Sequence, residues 1–298
     1  MKKIIGFLAL LLIVALSWYL FIKKSDYIYQ FKEKASTGTI FYSITNWQKT
    51  KDSVRTTTID STLYSQIVQK VNYKGEDYTV YWDIDIINDS ISEISAGVKQ
   101  DKNSLKNRLT APFTQTDFTS NTRNLLIDFK KVLDLNLSTF RVNEITDTIS
   151  PAKKCACVNA ETSPEGKAKQ MMRNYNYISS YIANNNIQED GRPLVVINEF
   201  NKAKNRINMD FCFPIKGLNK LPGTPGDIFY KVVEAKPSIK TVFNGNYMYS
   251  HHAWYSLYDY AENNDMNIGG EIVEQFHNNP NLGGDALRWK TDVYIPIN

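Results

Sequence analysis

The chain has 298 residues, enough for about two domains, and 42% hydrophobic with 12% aromatic residues to fill their cores. Its formal charge is only +4, and it lacks the block of clustered Lys and Arg that displaces counterions from a nucleic acid; a nucleic-acid partner is not expected. Cysteine occurs three times, at Cys155, Cys157 and Cys212. An odd count argues against a disulfide framework. Cys155 and Cys157 would share one face of a strand, but no second pair completes a zinc site. All three are read as packing residues, and no metal or cofactor is expected.

Residues 1–24 are the first element. Ile4 to Ile22 is an apolar run without a charge, flanked by Lys2-Lys3 and Lys23-Lys24. About 20 such residues span a bilayer as helix. A signal peptide has a shorter apolar region and small residues at its cleavage site. Here Trp18, Tyr19 and Phe21 occupy that end, which favours an uncleaved anchor over a cleaved signal. The short basic tail before the span favours an extracytoplasmic body. Lys23-Lys24 pull the other way, and unpaired cysteines fit a reducing compartment better.

Residues 25–138 form the next segment. "YIYQFKE" (27–33) alternates as a strand. "STGTIFYSITNWQKT" (36–50) reads as a helix capped by Ser36 or Thr37, with Ile40, Phe41, Ile44 and Trp47 as its stripe. Strand-like runs follow at Thr56–Tyr73, Tyr78–Ile87 and Ser90–Val98, with turns at "YKGED" and "INDS". "NSLKNRLTA" is read as one more strand. "DFTSNTRNLLIDFKKVLDLNL" (117–137) is an amphipathic helix with Leu125, Leu126, Phe129, Val132 and Leu133 on one side. This order, a strand, a short helix, a curved antiparallel sheet and a long last helix, resembles the START-like (SRPBCC, polyketide cyclase-like) superfamily. That resemblance implies a cavity between helix and sheet.

From residue 139 the pattern changes. "TFRVNEI" and "KKCACVNAET" are strand-like, "SPEGKAKQMMRNYNYISSYIANNNI" (163–187) is a helix, and "RPLVVINEF" and "INMDFCFPI" are strands. A Pro/Gly linker occupies 216–226. Then "DIFYKVVEA" and "IKTVFNG" are strands, "SHHAWYSLYDYAENNDMNI" (250–268) is a helix, and "GEIVEQF" and "WKTDVYIPI" are strands. Residues 139–215 and 227–297 thus read as two ββαββ copies of one unit, each ending in Pro-Ile with Asp four residues before the Pro. Two copies about a pseudo-dyad leave a groove on the axis, a common place for a ligand. The expected fold class is α+β: a membrane helix, a helix-grip domain and a duplicated domain.

Gly245-Asn246-Tyr247, Glu274-Gln275-Phe276, Pro280 and the closing Ile295-Pro296-Ile297 are similar to the pattern of the GyrI-like family, also called the AraC-type effector-binding domain. The likeness covers 139–298. It implies a small-molecule pocket between the repeats, walled by aromatics, with one strand Glu reaching in toward cationic or polar ligands. Only Glu274 matches that position. On a strand, Ile272, Glu274 and Phe276 share one face. A carboxylate there must be paired, neutralised or reserved for a cation, and aromatic faces would add cation–π attraction. The alternative is that Glu274 faces solvent beside Glu271 or pairs with a nearby Lys. Aligning Phe200 with Phe276 places Asn198 at the equivalent position of the first copy. Phe276 departs from the Tyr often found there. Tyr247, Trp254, Tyr255, Tyr258, Tyr177 and Tyr181 are candidate walls, although aromatics at helical spacing more often fill a core. His251-His252 are adjacent, a poor metal site, and His277 falls in a loop.

No nucleophile elbow, phosphate loop or zinc signature appears. The expected function is a membrane-anchored sensor, carrier or scavenger of a small amphipathic molecule, cationic or aromatic. Two alternatives stay open. One is a hydrolase using Glu274 as general base. The other is an interaction protein with a vestigial pocket. The helix-turn-helix that accompanies this domain in the resembled regulators is not evident.

Overall fold

The computed structural model describes residues 2–47, 54–217 and 221–298. The last residues of the expected helix 36–50 and part of the expected linker 216–226 lie outside them. The described chain falls into two compact units, one comprising 1–87 and 91–135 and the other 88–90 and 136–298.

The first unit opens with α1 (Lys2–Ser17), continued by a wider helical turn, Trp18–Ile22. Lys3–Ile22 is long and apolar enough to cross a membrane, and none of it is buried in the protein. Five strands follow: β1 (Tyr27–Glu33), β2 (Val54–Thr62), β3 (Gln66–Tyr73), β4 (Glu76–Asn88) and β5 (Ile91–Gln100). They form an antiparallel sheet in the order β1-β5-β4-β3-β2. Helix α2 (Thr37–Asn46) buries Ile40, Phe41 and Ile44, as its stripe requires. Helix α4 (Asp117–Leu137) buries Phe118, Leu125, Leu126, Phe129 and Leu133. Phe129 meets Trp47 at 5.2 Å and Trp82 on β4 at 4.9 Å, within the range of favourable aromatic pairs. This packing lays α4 on the sheet.

Two expectations fail here. The run Thr56–Tyr73 is a hairpin, β2 and β3, turning at Tyr64 with φ 64°. A bulky residue rarely enters that region, so the turn had no glycine or asparagine to mark it. "NSLKNRLTA" is a helix, α3 (Ser104–Thr110), not a strand. Its buried residues are Asn107 and Arg108, whereas Leu105 and Leu109 are exposed. The helix docks by its polar side, so its apolar spacing points away from its real contact. Arg108 Nε lies 2.8 Å from Asp26, which also accepts from Ser104 Oγ and the Gln100 amide. The same guanidinium donates to the carbonyls of Leu20 (2.9 Å) and Tyr19 (3.3 Å). Those carbonyls belong to the last turn of the apolar helix, where intrahelical partners run out.

The second unit contains β6 (Phe140–Val142), β7 (Thr146–Ile149), β8 (Lys153–Thr162), α5 (Lys167–Asn184), β9 (Leu194–Asn201) and β10 (Arg206–Pro214). Then come β11 (Ile228–Val233), β12 (Pro237–Gly245), α6 (His252–Asn263), β13 (Ile272–Phe276) and β14 (Lys290–Pro296). One sheet joins them in the order β11-β8-β10-β9-β13-β14-β12-β6, with β7 also paired to β12. β9 and β13 meet at the centre, where Glu274 lies opposite Val195. Strand β7 had no counterpart among the expected elements.

Alternation along the strands sorts side chains onto two faces. One face, with α5 and α6, carries the main core: Val195, Ile197, Phe211, Phe243, Val293 and Ile295 among others. The opposite face carries Cys155, Cys157, Leu194, Val196, Cys212 and Tyr294. Here the cysteine expectation is corrected. Cys157 and Cys212 face each other across β8 and β10 and form a disulfide, leaving Cys155 as a buried thiol. An odd count says that one cysteine is left over, not that none are paired. Burial pushes the Cys155 thiol up to about 12, so it stays protonated.

Candidate small-molecule site

A cavity of about 280 Å³ opens on the helix side of the second sheet. That is near the lower end of ligand-binding volumes, roughly 300–1,000 Å³. Helix α5 supplies Ala168, Lys169, Met171, Met172 and Tyr175. Phe211 and Phe276 come from the strands, Tyr247 and Met248 from the turn before α6, and Trp289 from the residue just before β14. Arg192, Pro193, Asn246 and the loop 278–280 complete the lining. The Tyr247 ring lies 4.6 Å from Phe276 and 5.7 Å from Trp289. Its hydroxyl donates to the Asn278 carbonyl at 3.0 Å and accepts from the Asn278 amide at 2.9 Å, which fixes the aromatic wall to the loop. Burial pushes this phenol up to about 12, against the nearby Arg192 charge. Three methionines, flexible and polarizable, make that wall adaptable.

Behind Phe276, on the same strand, Glu274 is fully buried and does not line the cavity. It is saturated with donors. Lys167, at the first turn of α5, reaches Oε1 at 2.6 Å and also contacts Oε2. Trp254 Nε1 donates to Oε1 at 2.7 Å, and Ser250 Oγ to Oε2 at 3.3 Å. Lys167 in turn donates to Ser250 Oγ at 2.7 Å and lies 4.5 Å from the Trp254 ring centroid. Burial draws the Lys167 ammonium below its usual value, and the Glu274 carboxylate opposes that. His251 and His252 are buried beside this network. Burial lowers both, His251 to about 3 with Lys167 adding repulsion; both rings are neutral at ordinary pH.

Of the residues picked from sequence, Tyr247 and Phe276 line the cavity. Trp254 holds Glu274 from below. Tyr255 is buried in α6, and Tyr258 lies beneath Lys202 at 3.6 Å. Tyr181 bonds to Tyr230 at 2.7 Å, and Tyr177 is exposed. Asn198 bonds to Asn208 and Lys231. Tyr177, Tyr181 and Asn198 are not among the lining residues, although a third tyrosine of α5, Tyr175, is.

Residues 150–298 match the family model described as the GyrI-like small molecule binding domain. The chain belongs to this family. No curated protein matches it. Among solved structures, the EcmrR C-terminal domain is 13% identical, with a TM-score of 0.45, covering 52% of this chain and 97% of that one. A hydrolase from Listeria innocua is 12% identical, with a TM-score of 0.36 and coverages of 57% and 98%. SAV2435 bound to tetraphenylphosphonium is 13% identical, with a TM-score of 0.34 and coverages of 52% and 94%.

Within this GyrI-like domain, sequence reasoning missed Met171, Met172, Met248, Trp289 and Arg192. The Met-Met pair on an amphipathic helix was a usable signal, because unbranched thioethers favour adaptable surfaces. Lys167 was also missed. A lysine in a helical first turn ordinarily meets water, and its partner is 107 residues away.

Proposed function

We propose that this protein is a non-catalytic binder of small molecules, held at a membrane by residues 3–22, with the cavity of its GyrI-like domain as the binding site. The observation that carries this is the cavity: lined by aromatic and methionine side chains from α5, from Phe211 of β10, from Phe276 of β13 and from the turn before α6. The state of Glu274 weighs against the hydrolase alternative. A general base needs a lone pair free for water, and here Lys167, Ser250 and Trp254 occupy the carboxylate.

Two architectural inferences accompany this. The second unit is a duplication: β8-β10-β9 and β12-β14-β13 are arranged alike about the β9–β13 pair, with Asp210 and Asp292 on corresponding strands. Each copy's leading strand sits on the other copy, β11 on β8 and β6 on β12. The first unit is START-like, supported by α4 packed on a five-stranded antiparallel sheet.

The test uses the full chain in detergent with methyl 1-naphthaleneacetate, a neutral aromatic probe. A probe at 100 times its dissociation constant stabilises by about 2.7 kcal/mol if it binds only the folded state. Ala168→Phe, which fills the cavity, abolishes the shift. Stabilisation that persists in Ala168→Phe, or turnover of the ester lost in Glu274→Gln, would count against the proposal.

A further inference from the structure

Charge within the site is unevenly distributed. The single carboxylate on the cavity side of β13 is Glu274, and Lys167 neutralises it inside the protein, with 0% of either side chain exposed. No carboxylate lines the cavity among the described residues. Two cations do: Arg192, just before β9, and Lys169, on the first turn of α5. Both are exposed and neither engages a carboxylate among the described residues. The Arg192 charge reaches the Tyr247 hydroxyl, which is part of the wall. Asn246, Asn278 and Asn279 add neutral donors.

From this charge distribution we infer that the cavity selects anionic amphiphiles: an apolar, aromatic-sized body among Met171, Phe276 and Trp289, and a carboxylate or similar headgroup at Arg192 and Lys169. The inference rests on the cavity being the ligand site. Physically it follows from what each charge faces. A cation entering would meet two like charges at the mouth and no free anion inside, because the only candidate already has Lys167 as its counter-ion. An anion would meet two unpaired cations, one of them a guanidinium suited to bidentate carboxylate recognition. The apolar body supplies most of the affinity and the rim supplies selectivity, as in ligand pockets generally.

The test is a matched series on the full chain in detergent: 1-naphthaleneacetate, its methyl ester, and (1-naphthylmethyl)trimethylammonium. Dissociation constants are measured by isothermal titration calorimetry. The anion binds tightest and the cation weakest, with a gap of about tenfold, since each exposed charge contact contributes only ~2–5-fold. Arg192→Gln and Lys169→Gln each narrow the anion–cation gap by a few-fold. The gap also closes near ~1 M salt, where the screening length falls to about 3 Å. All binding disappears in Ala168→Phe. Equal affinities, or a cation that binds tightest, would overturn the charge assignment while leaving the cavity as the site. A gap unchanged in both Gln variants would overturn the role of Arg192 and Lys169. Absence of binding by every member would overturn the cavity reading itself.

Discussion

Among the described residues, each unit holds one ion pair with both side chains almost wholly buried: Arg108–Asp26 in the first and Lys167–Glu274 in the second. They do different work. Arg108 is multivalent: it joins Asp26 to two carbonyls at the end of the apolar helix. Removing the charges alone would leave those carbonyls without a donor. Lys167 serves a single carboxylate and its hydroxyl neighbour. It removes one charge from the vicinity of a cavity. The first pair is part of how an apolar helix is attached to its own unit. The second is part of what a binding site does not offer to a ligand.

The comparison can be broken by repair experiments, which carry the largest expected effect. Lys167→Met leaves a buried carboxylate without its cation, and loss of one partner of such a pair costs about 3–5 kcal/mol. Arg108→Met should lose a similar amount. Glu274→Gln added to Lys167→Met keeps an acceptor for Trp254, so the double variant recovers most of the stability. Asp26→Asn added to Arg108→Met does not, because the Leu20 and Tyr19 carbonyls remain unserved. Urea unfolding of the four variants measures this. Equal recovery in both doubles would show that the two pairs are equivalent.

The disulfide gives the next effect and bears on the second unit alone. Cys157 and Cys212 are 55 positions apart. Constraining a loop of that size is worth about 4 kcal/mol in the chain-entropy account and typically 2–4 kcal/mol in practice. Reduction, or Cys157→Ser, should lower the stability of the second unit by that amount and leave the near-ultraviolet signal of the first unit unaffected. A free-thiol titration of the unfolded chain should find one reactive sulfur before reduction and three after it.

Acid distinguishes the two buried pairs further, because only Lys167 has buried imidazoles beside it. The ordinary histidine value is 6.5, and His251 is lowered to about 3. His252 is lowered too, by burial and by His251. Between those limits the unfolded chain binds protons that the folded chain does not. Stability is therefore full above about 6.5 and falls as pH drops below it, approaching 1.4 kcal/mol per pH unit for each ring. Unfolding midpoints measured from pH 7 to pH 5 test this. His252→Phe, which retains the stack on Phe140 seen at 4.5 Å, should flatten the slope by about half. An unchanged slope would mean that other groups set the acid limit.

What was legible in the sequence followed from local pattern. Tyr27–Glu33 alternates and is a strand, the apolar runs in Lys153–Thr162 and Lys290–Pro296 are strands buried on both faces, and Asp117–Leu137 repeats at helical spacing and is a helix. Tyr247 and Phe276, which line the cavity, were legible through the Gly-x-Tyr and Glu-x-aromatic positions that the resemblance to the GyrI-like family implies. What escaped was set by contacts distant in sequence. Helix α3 turns polar residues inward because Asp26 waits 82 positions away. Lys167 is buried because Glu274 is there to receive it. Asn198 was drawn toward the site by aligning Phe200 with Phe276, but a register irregularity at Asn208–Met209 on the paired strand separates the end of β9 from a simple alternation. A single sequence records neither the partner nor the bulge.

The smallest expected effect separates cations that hold the fold from cations that face a ligand. Arg108 is buried and multiply bonded, whereas Arg192 and Lys169 are exposed at the cavity mouth. Exposed side chains without a specific partner rarely change stability by more than about 0.5 kcal/mol. Arg192→Gln and Lys169→Gln should therefore unfold at the wild-type urea midpoint while altering the anion–cation preference in binding. A midpoint lowered by as much as in Arg108→Met would reclassify Arg192 as a structural residue. It would also remove the reason for treating the mouth of the cavity as its recognition surface, because a cation already satisfied by the fold has no charge left to offer a ligand.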